Sequence, residues 1–144
     1  MPRGRTSSVG PELKRGQRIP ELRITPDRYL PYRYAGASGD YNPIHLDPEF
    51  ARQAGLPGTV LHGLYCVGLM ARATVDAAGG DPRVLRRMCL QFRAMAFPEQ
   101  EIVIAGSVTD VEDGGARIEV HADQQGRALI GKAEVELELG DRSG

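Results

Sequence analysis

The chain has 144 residues, 41% of them apolar and 26% charged, with a formal net charge of -1. That length and balance fit one domain with a buried core. They give no electrostatic basis for a nucleic-acid or membrane partner, and no apolar run approaches the length of a bilayer span.

The N-terminal "MPRGRTSSVGPELKRGQ" is basic and polar. It lacks the apolar stretch of a signal peptide. Residues 1–15 therefore read as a flexible lead-in to a single domain at 16–140. In "QRIPELRIT" the apolar points Ile19, Leu22 and Ile24 suggest a strand. Thr25, Pro26 and Asp27 offer a helix start capped by Thr25, with Pro31 limiting that helix, so that "PYRYAGAS" reads as a second short turn or helix. A loop follows, punctuated by Gly39 and Asn42-Pro43. "DPEFARQAG" reads as a short helix capped by Asp47 and ended at Gly55.

Residues 62–80 are the longest helical candidate, with Leu64, Val67, Ala71, Val75 and Ala78 recurring at three- and four-residue steps. Its many Gly and Ala residues would let it lie close to a sheet. Gly79-Gly80 stops it. The rest reads as strand. In 84–96 the even positions Val84, Met88, Leu90, Phe92 and Ala94 form the apolar row. "EIVIAGSVTDVE" is apolar enough for an interior strand. Asp113-Gly114-Gly115 and Gln125-Gly126 are hairpin turns. Between them Ala116, Ile118, Val120 and Ala122 alternate with Arg117, Glu119, His121 and Asp123. After them Leu129, Ala133, Val135, Leu137 and Leu139 share one face, and Lys132, Glu134, Glu136 and Glu138 the other. One strand, short helices, one long helix and four antiparallel strands make an α+β fold with a sheet around a single helix. Apolar edges and an apolar second face would favour pairing with another subunit.

Cys66 and Cys89 lack the spacing of a zinc site or a redox pair. Two buried free thiols point to a reducing cytoplasm.

The chemistry concentrates in "SGDYNPIHLDPEF", residues 38–50. Asp40 and His45 are five apart and cannot share a helical face, but a loop can bring them together. Such a pair can move a proton and hold a water. On spacing alone an ordinary Asp/Asn turn is the favoured reading. The second element is "LHGLY". His62-Gly63 opens the long helix, where free N–H groups suit a developing oxyanion.

"YAGASGDYNPIHLDPEFA" followed by "LHGLYCVGLMA" resembles the MaoC-like (R)-specific enoyl-CoA hydratases and 3-hydroxyacyl-thioester dehydratases. The resemblance covers roughly residues 16–139 and implies a hot-dog fold. It implies that Asp40 and His45 are a catalytic dyad that activates the water added to a trans-2-enoyl thioester. The product would be the (R)-3-hydroxyacyl thioester, by syn addition. Gly63 N–H would hold the thioester oxygen and Asn42 would brace the loop. His62 is read as packing or capping at the helix start. Leu64, Tyr65 and Val60 are candidates for the wall of an acyl tunnel, with core packing equally open for each. No metal or redox cofactor is implied, because the thioester already acidifies the alpha position; coenzyme A is part of the substrate. Ala71 stands where some relatives carry a supporting Ser. Some members act only beside a second hot-dog chain without the dyad, so a homodimer and a heterodimer both stand as expectations. The runner-up functions are a dehydratase of fatty-acid or polyketide chain elongation and a noncatalytic acyl-thioester-binding subunit. The arginines Arg83, Arg86, Arg87 and Arg93 read as surface groups first and coenzyme A phosphate contacts second.

Overall fold

A computed structural model describes residues 12–140. The expected lead-in at 1–11 lies outside the described residues. Leu13, also placed in that lead-in, is buried in the core, so packing begins before residue 16.

Strand β1 (Leu22–Ile24) is short, and Ile19 just ahead of it is buried. Helix α1 (Leu30–Ser38) is the short helix expected over residues 31–38, whereas the one expected from Thr25 does not form. Thr25 caps nothing, and Pro31 sits in the first turn of α1. The reason is simple: proline has no N–H to lose in a first turn, and its fixed φ suits that turn. Asp27 still acts at this end, accepting from Tyr29 N–H at 2.8 Å and pairing with Arg33 at 2.7 Å. Helices α2 (Pro43–Leu46) and α3 (Pro48–Gln53) follow. Asp47 caps α3 as expected, accepting from Glu49 and Phe50 N–H groups.

Helix α4 (Gly63–Ala77) is the long one. Its buried face is Cys66, Leu69, Met70, Ala73, Thr74, Val75 and Ala77. The expected stripe beginning at Leu64 is displaced, and Leu64 is 66% exposed. The small residues Ala73 and Ala77 permit close approach to the sheet, so they turn inward ahead of the larger Leu64 and Val67. Thr74 is fully buried and satisfies its hydroxyl within the helix, on the carbonyls of Met70 and Ala71.

A 3-10 turn at Pro82–Val84 leads into β2 (Leu85–Cys89), then β3 (Ile102–Glu112), β4 (Gly115–Gln124) and β5 (Arg127–Glu138). The sheet is antiparallel throughout, in the order β1-β3-β4-β5-β2. Helix α4 packs on β3 and β4. The alternation in β4 and β5 holds: Ile118, Val120, Ala133 and Val135 are buried against the helix. Bulges near Val120 and Ala122 shift the register, which lets both Leu129 and Ile130 face inward. Both two-residue turns form; Gln125 and Gly126 take φ of 50° and 75°, the pair a type I′ turn requires.

Two expectations fail here. Strand β2 ends at Cys89, not at 96, and Cys89 is exposed. The chain beyond keeps one bridge, Phe92 to Ile130, and the Phe92 ring is 52% exposed. The sheet's outer face is charged, not apolar. Arg117 reaches Glu134 at 2.6 Å and Glu136 at 3.4 Å, and Arg86 reaches Glu138 at 2.6 Å. Alternation forces this, because the residues between the core positions of β4 and β5 are Arg and Glu.

Candidate active site

Each end of the Asp40–His45 segment is pinned. Gly39 ends α1 in the left-handed region, at φ 79°, and donates its N–H to Ala35 O at 2.8 Å. A residue with a side chain would be strained there. Asp40 follows at the loop's apex, its side chain 53% exposed. Its carboxylate accepts from Asn42 N–H at 3.2 Å. Asn42 in turn caps α2, accepting from Ile44 N–H at 3.3 Å, and Pro43 fills the first turn. One turn of helix then delivers His45 into the interior, with its side chain 9% exposed.

The two functional groups do meet. His45 Nε2 lies 3.8 Å from Asp40 Oδ2. That is too long for a direct hydrogen bond and short enough for one water to touch both. On the far side of the ring, His45 Nδ1 is 2.7 Å from Val60 O. A carbonyl only accepts, so Nδ1 carries the hydrogen. In the neutral imidazole Nε2 is then a bare lone pair, aimed toward Asp40. Val60 itself is buried, and what it offers the His45 ring is this carbonyl. Backbone acceptors leave no mark in a sequence, and this one could not have been read there. Val60 is fixed from the other direction as well, donating its N–H to Ile44 O at 3.1 Å.

His62 lies beside the pair. It is the N-cap residue of α4 by position, yet its side chain makes no cap hydrogen bond. The ring is buried instead and stacks on His45, with centroids 3.8 Å apart and planes at 19°. Its Nε2–H donates to the main-chain oxygen of Asp40 at 3.0 Å. Tyr34 packs against its other side at 4.6 Å, and Tyr65 meets Tyr34 edge-on at 6.1 Å. Packing, one of the two expected roles, is what His62 does; capping is not.

Gly63 is the first residue of α4, so its N–H has no partner within the helix. A Cβ placed on it would stand 2.9 Å from Phe92 Cε1. Sequence reasoning placed Phe92 in the core of a strand. Its position over Gly63 follows from the early end of β2. Leu64 points outward, and Tyr65 is half-buried, its hydroxyl pKa pushed up by desolvation.

Asp40, His45 and His62 offer ligand atoms within 4.8 Å of one another. His45 Nδ1 is engaged with Val60 O, and His62 Nε2 with Asp40 O.

The other candidates fall away from this site. Arg83 forks onto Asp81, whose carboxyl it holds down at about 2. Arg87 sits beside Cys89, and Arg93 lies along Gly131. His121 is exposed and paired with Asp123 at 2.7 Å, one strand repeat away. Cys66 is buried under α4, its thiol pushed up to about 11 by desolvation. Among the described residues no helix is long and apolar enough to cross a membrane.

The MaoC like domain family matches residues 9–127. The peroxisomal enoyl-CoA hydratase 2 of Arabidopsis thaliana is 38% identical over 102 residues, 67% of this chain and 32% of that protein. The fatty acid synthase subunit beta of Schizosaccharomyces pombe is 38% identical over 120 residues, 78% of this chain and 6% of that protein. The chain thus spans about a third or less of the length of these relatives. Among solved structures, a MaoC-like dehydratase superposes with a TM-score of 0.83 at 28% identity, over 92% of this chain and 43% of that one. A chain of the ChsH1-ChsH2 complex from Mycobacterium tuberculosis superposes with a TM-score of 0.78 at 24% identity, over 93% of this chain and 99% of that one. The latter shares the fold: a five-stranded antiparallel sheet and a central helix, the hot-dog arrangement.

Proposed function

The chain belongs to the MaoC-like domain family, and from that premise we propose that it adds water reversibly to trans-2-enoyl-CoA thioesters. The observation that carries the reading is the 3.8 Å gap between Asp40 Oδ2 and His45 Nε2, beside a helix N-terminus with a free N–H.

A water held between the two groups gives one proton to the His45 lone pair as its oxygen bonds to C3 of the enoyl group. The C2–C3 π electrons move onto the thioester oxygen. Gly63 N–H and the α4 dipole stabilise that enolate-like charge. C2 then takes a proton from the dyad on the face from which water arrived. Addition is syn, the product is the (R)-3-hydroxyacyl-CoA, and one water is consumed. No cofactor enters the balance; coenzyme A stays on the acyl group. Asn42 holds the loop, while Leu64, Tyr65 and His62 stand at the substrate end of α4.

The reverse direction, dehydration in acyl-chain elongation, uses the same atoms. The similarity to a fatty acid synthase subunit favours it as the second reading. A noncatalytic acyl-binding role would leave the aimed Nε2 lone pair without a purpose. We also propose that the working form is an oligomer in which another hot-dog chain, identical or different, covers the exposed Leu64, Phe92 and Met95. Two free thiols fit a reducing compartment such as the cytoplasm.

The test is loss of conjugated-thioester absorbance on mixing the protein with crotonyl-CoA and longer trans-2-enoyl-CoAs. Wild type should turn over, and His45→Gln should be slower by at least ~100-fold. A His45→Gln protein as fast as wild type would remove the dyad. An inert wild type at every chain length, with or without a second hot-dog chain, would remove the hydratase reading.

A further inference from the structure

His62 contains the one buried side-chain nitrogen or oxygen without a hydrogen-bond partner among the described residues, its Nδ1. The residue is 2% exposed, so bulk solvent does not reach that atom. Because Nε2–H is committed to the Asp40 carbonyl, Nδ1 is a bare lone pair facing protein. Native interiors seldom leave such an atom unpaired, and each case calls for a reason.

The reason lies in three couplings made by this one residue. Nε2–H ties the Asp40 main chain to a residue 22 positions away. The ring face sets the plane of His45 by stacking at 3.8 Å. The backbone of His62, extended at φ -65° and ψ 133°, leads directly into Gly63. A phenyl ring could stack but could not hold the carbonyl. A carboxamide could hold the carbonyl but could not stack. Imidazole does both, at the expense of a second nitrogen with nothing to bind.

We infer that His62 is a positioning residue, which locks Asp40, His45 and the oxyanion donor Gly63 into one rigid unit. The inference rests on the hydratase reading and gives His62 no contact with the reacting atoms. Misplacing groups in this way slows the chemical step and leaves substrate binding largely intact.

The test compares the full chain carrying His62→Phe or His62→Gln with wild type, on crotonyl-CoA. His62→Phe keeps the stack and loses the donor. Its kcat should fall ~10-fold or more with KM within about twofold, while Tm stays equal or rises because the unpaired nitrogen is gone. His62→Gln returns a donor to the Asp40 carbonyl and should recover part of that loss. A His62→Phe protein with kcat within about twofold of wild type overturns the inference. So do losses in both variants that simply follow a fall in Tm. Amide hydrogen exchange decides the matter even if no enoyl-CoA is turned over. Peptides covering residues 38–42 should exchange ~10-fold faster in His62→Phe, with the sheet unchanged. Unchanged exchange there overturns the inference, whereas an inert wild type with faster exchange overturns only the hydratase reading.

Discussion

Two buried polar side chains in this molecule are treated in opposite ways. Gln124, at the end of β4, is 1% exposed and uses its whole amide. Its Nε2 donates to Phe97 O at 2.8 Å and Gln100 O at 3.0 Å, and its Oε1 accepts from Phe97 N–H at 2.8 Å. His62 is equally buried and leaves a nitrogen unpaired. The first arrangement fastens the irregular segment 97–100 to the sheet and has no other task. The second sits against the Asp40–His45 pair. A polar group used only for structure is free to settle into full hydrogen bonding. One whose geometry is dictated by neighbours with a chemical task is not.

The comparison can be broken by substitution. The largest effect is expected at the dyad, where loss of a proton-transfer group costs ~100-fold or more in rate with little change in folding. Gln124→Ala should do the reverse. It strands the Phe97 and Gln100 backbone groups and should destabilise by about 2–4 kcal/mol, lowering Tm by about 5–12 °C. Activity per folded molecule should remain within about threefold, and a thermal melt with rate assays below the transition reads both.

Cys66 tests the inner face of α4, one turn beyond Gly63. Burial raises its thiol pKa from 9.0 to about 11, so the folded chain keeps a proton that the unfolded chain releases. The contribution is complete below about pH 9 and disappears as pH rises toward 11, a swing of about 3 kcal/mol. Cys66→Ala should lose less stability than wild type across that window in denaturant titrations. An identical pH slope would mean the thiol is not held neutral by burial.

Asn42 straddles the two behaviours: its side chain caps α2 and so holds the loop from which its main-chain N–H donates to the Asp40 carboxylate. Asn42→Ala should cost about 1 kcal/mol in stability, the usual worth of such a cap. A few-fold fall in kcat should accompany it. A loss confined to stability would detach Asn42 from the site.

The elements that were legible in the sequence are those with strong periodicity. The alternation of Ile118 and Val120 with Glu119 and His121 could only be a half-buried strand, and Asp47-Pro48 could only open a helix. The helix face was harder, because α4 is rich in small residues and several stripes look alike. Contact with β3 and β4 selects Ala73 and Ala77, which periodicity does not rank. Residues 84–96 show the same limit: the apolar row continues to Ala94, but pairing with β5 ends at Cys89. Phe92 therefore leaves the core and comes to rest over Gly63. At the site, side chains were visible in the motif, whereas the Val60 and Asp40 carbonyls that orient the two rings were not. Main-chain acceptors are common to every residue, so only the fold reveals them.

The most direct measurement pairs rate with stability in Asp40→Asn, using one preparation for both. The carboxamide keeps the size and turn geometry of Asp40 but loses its charge. The account predicts that kcat on an enoyl-CoA falls at least ~100-fold while Tm stays within about 2 °C of wild type. A variant that keeps its rate, or one that loses rate only as far as it loses fold, would contradict it.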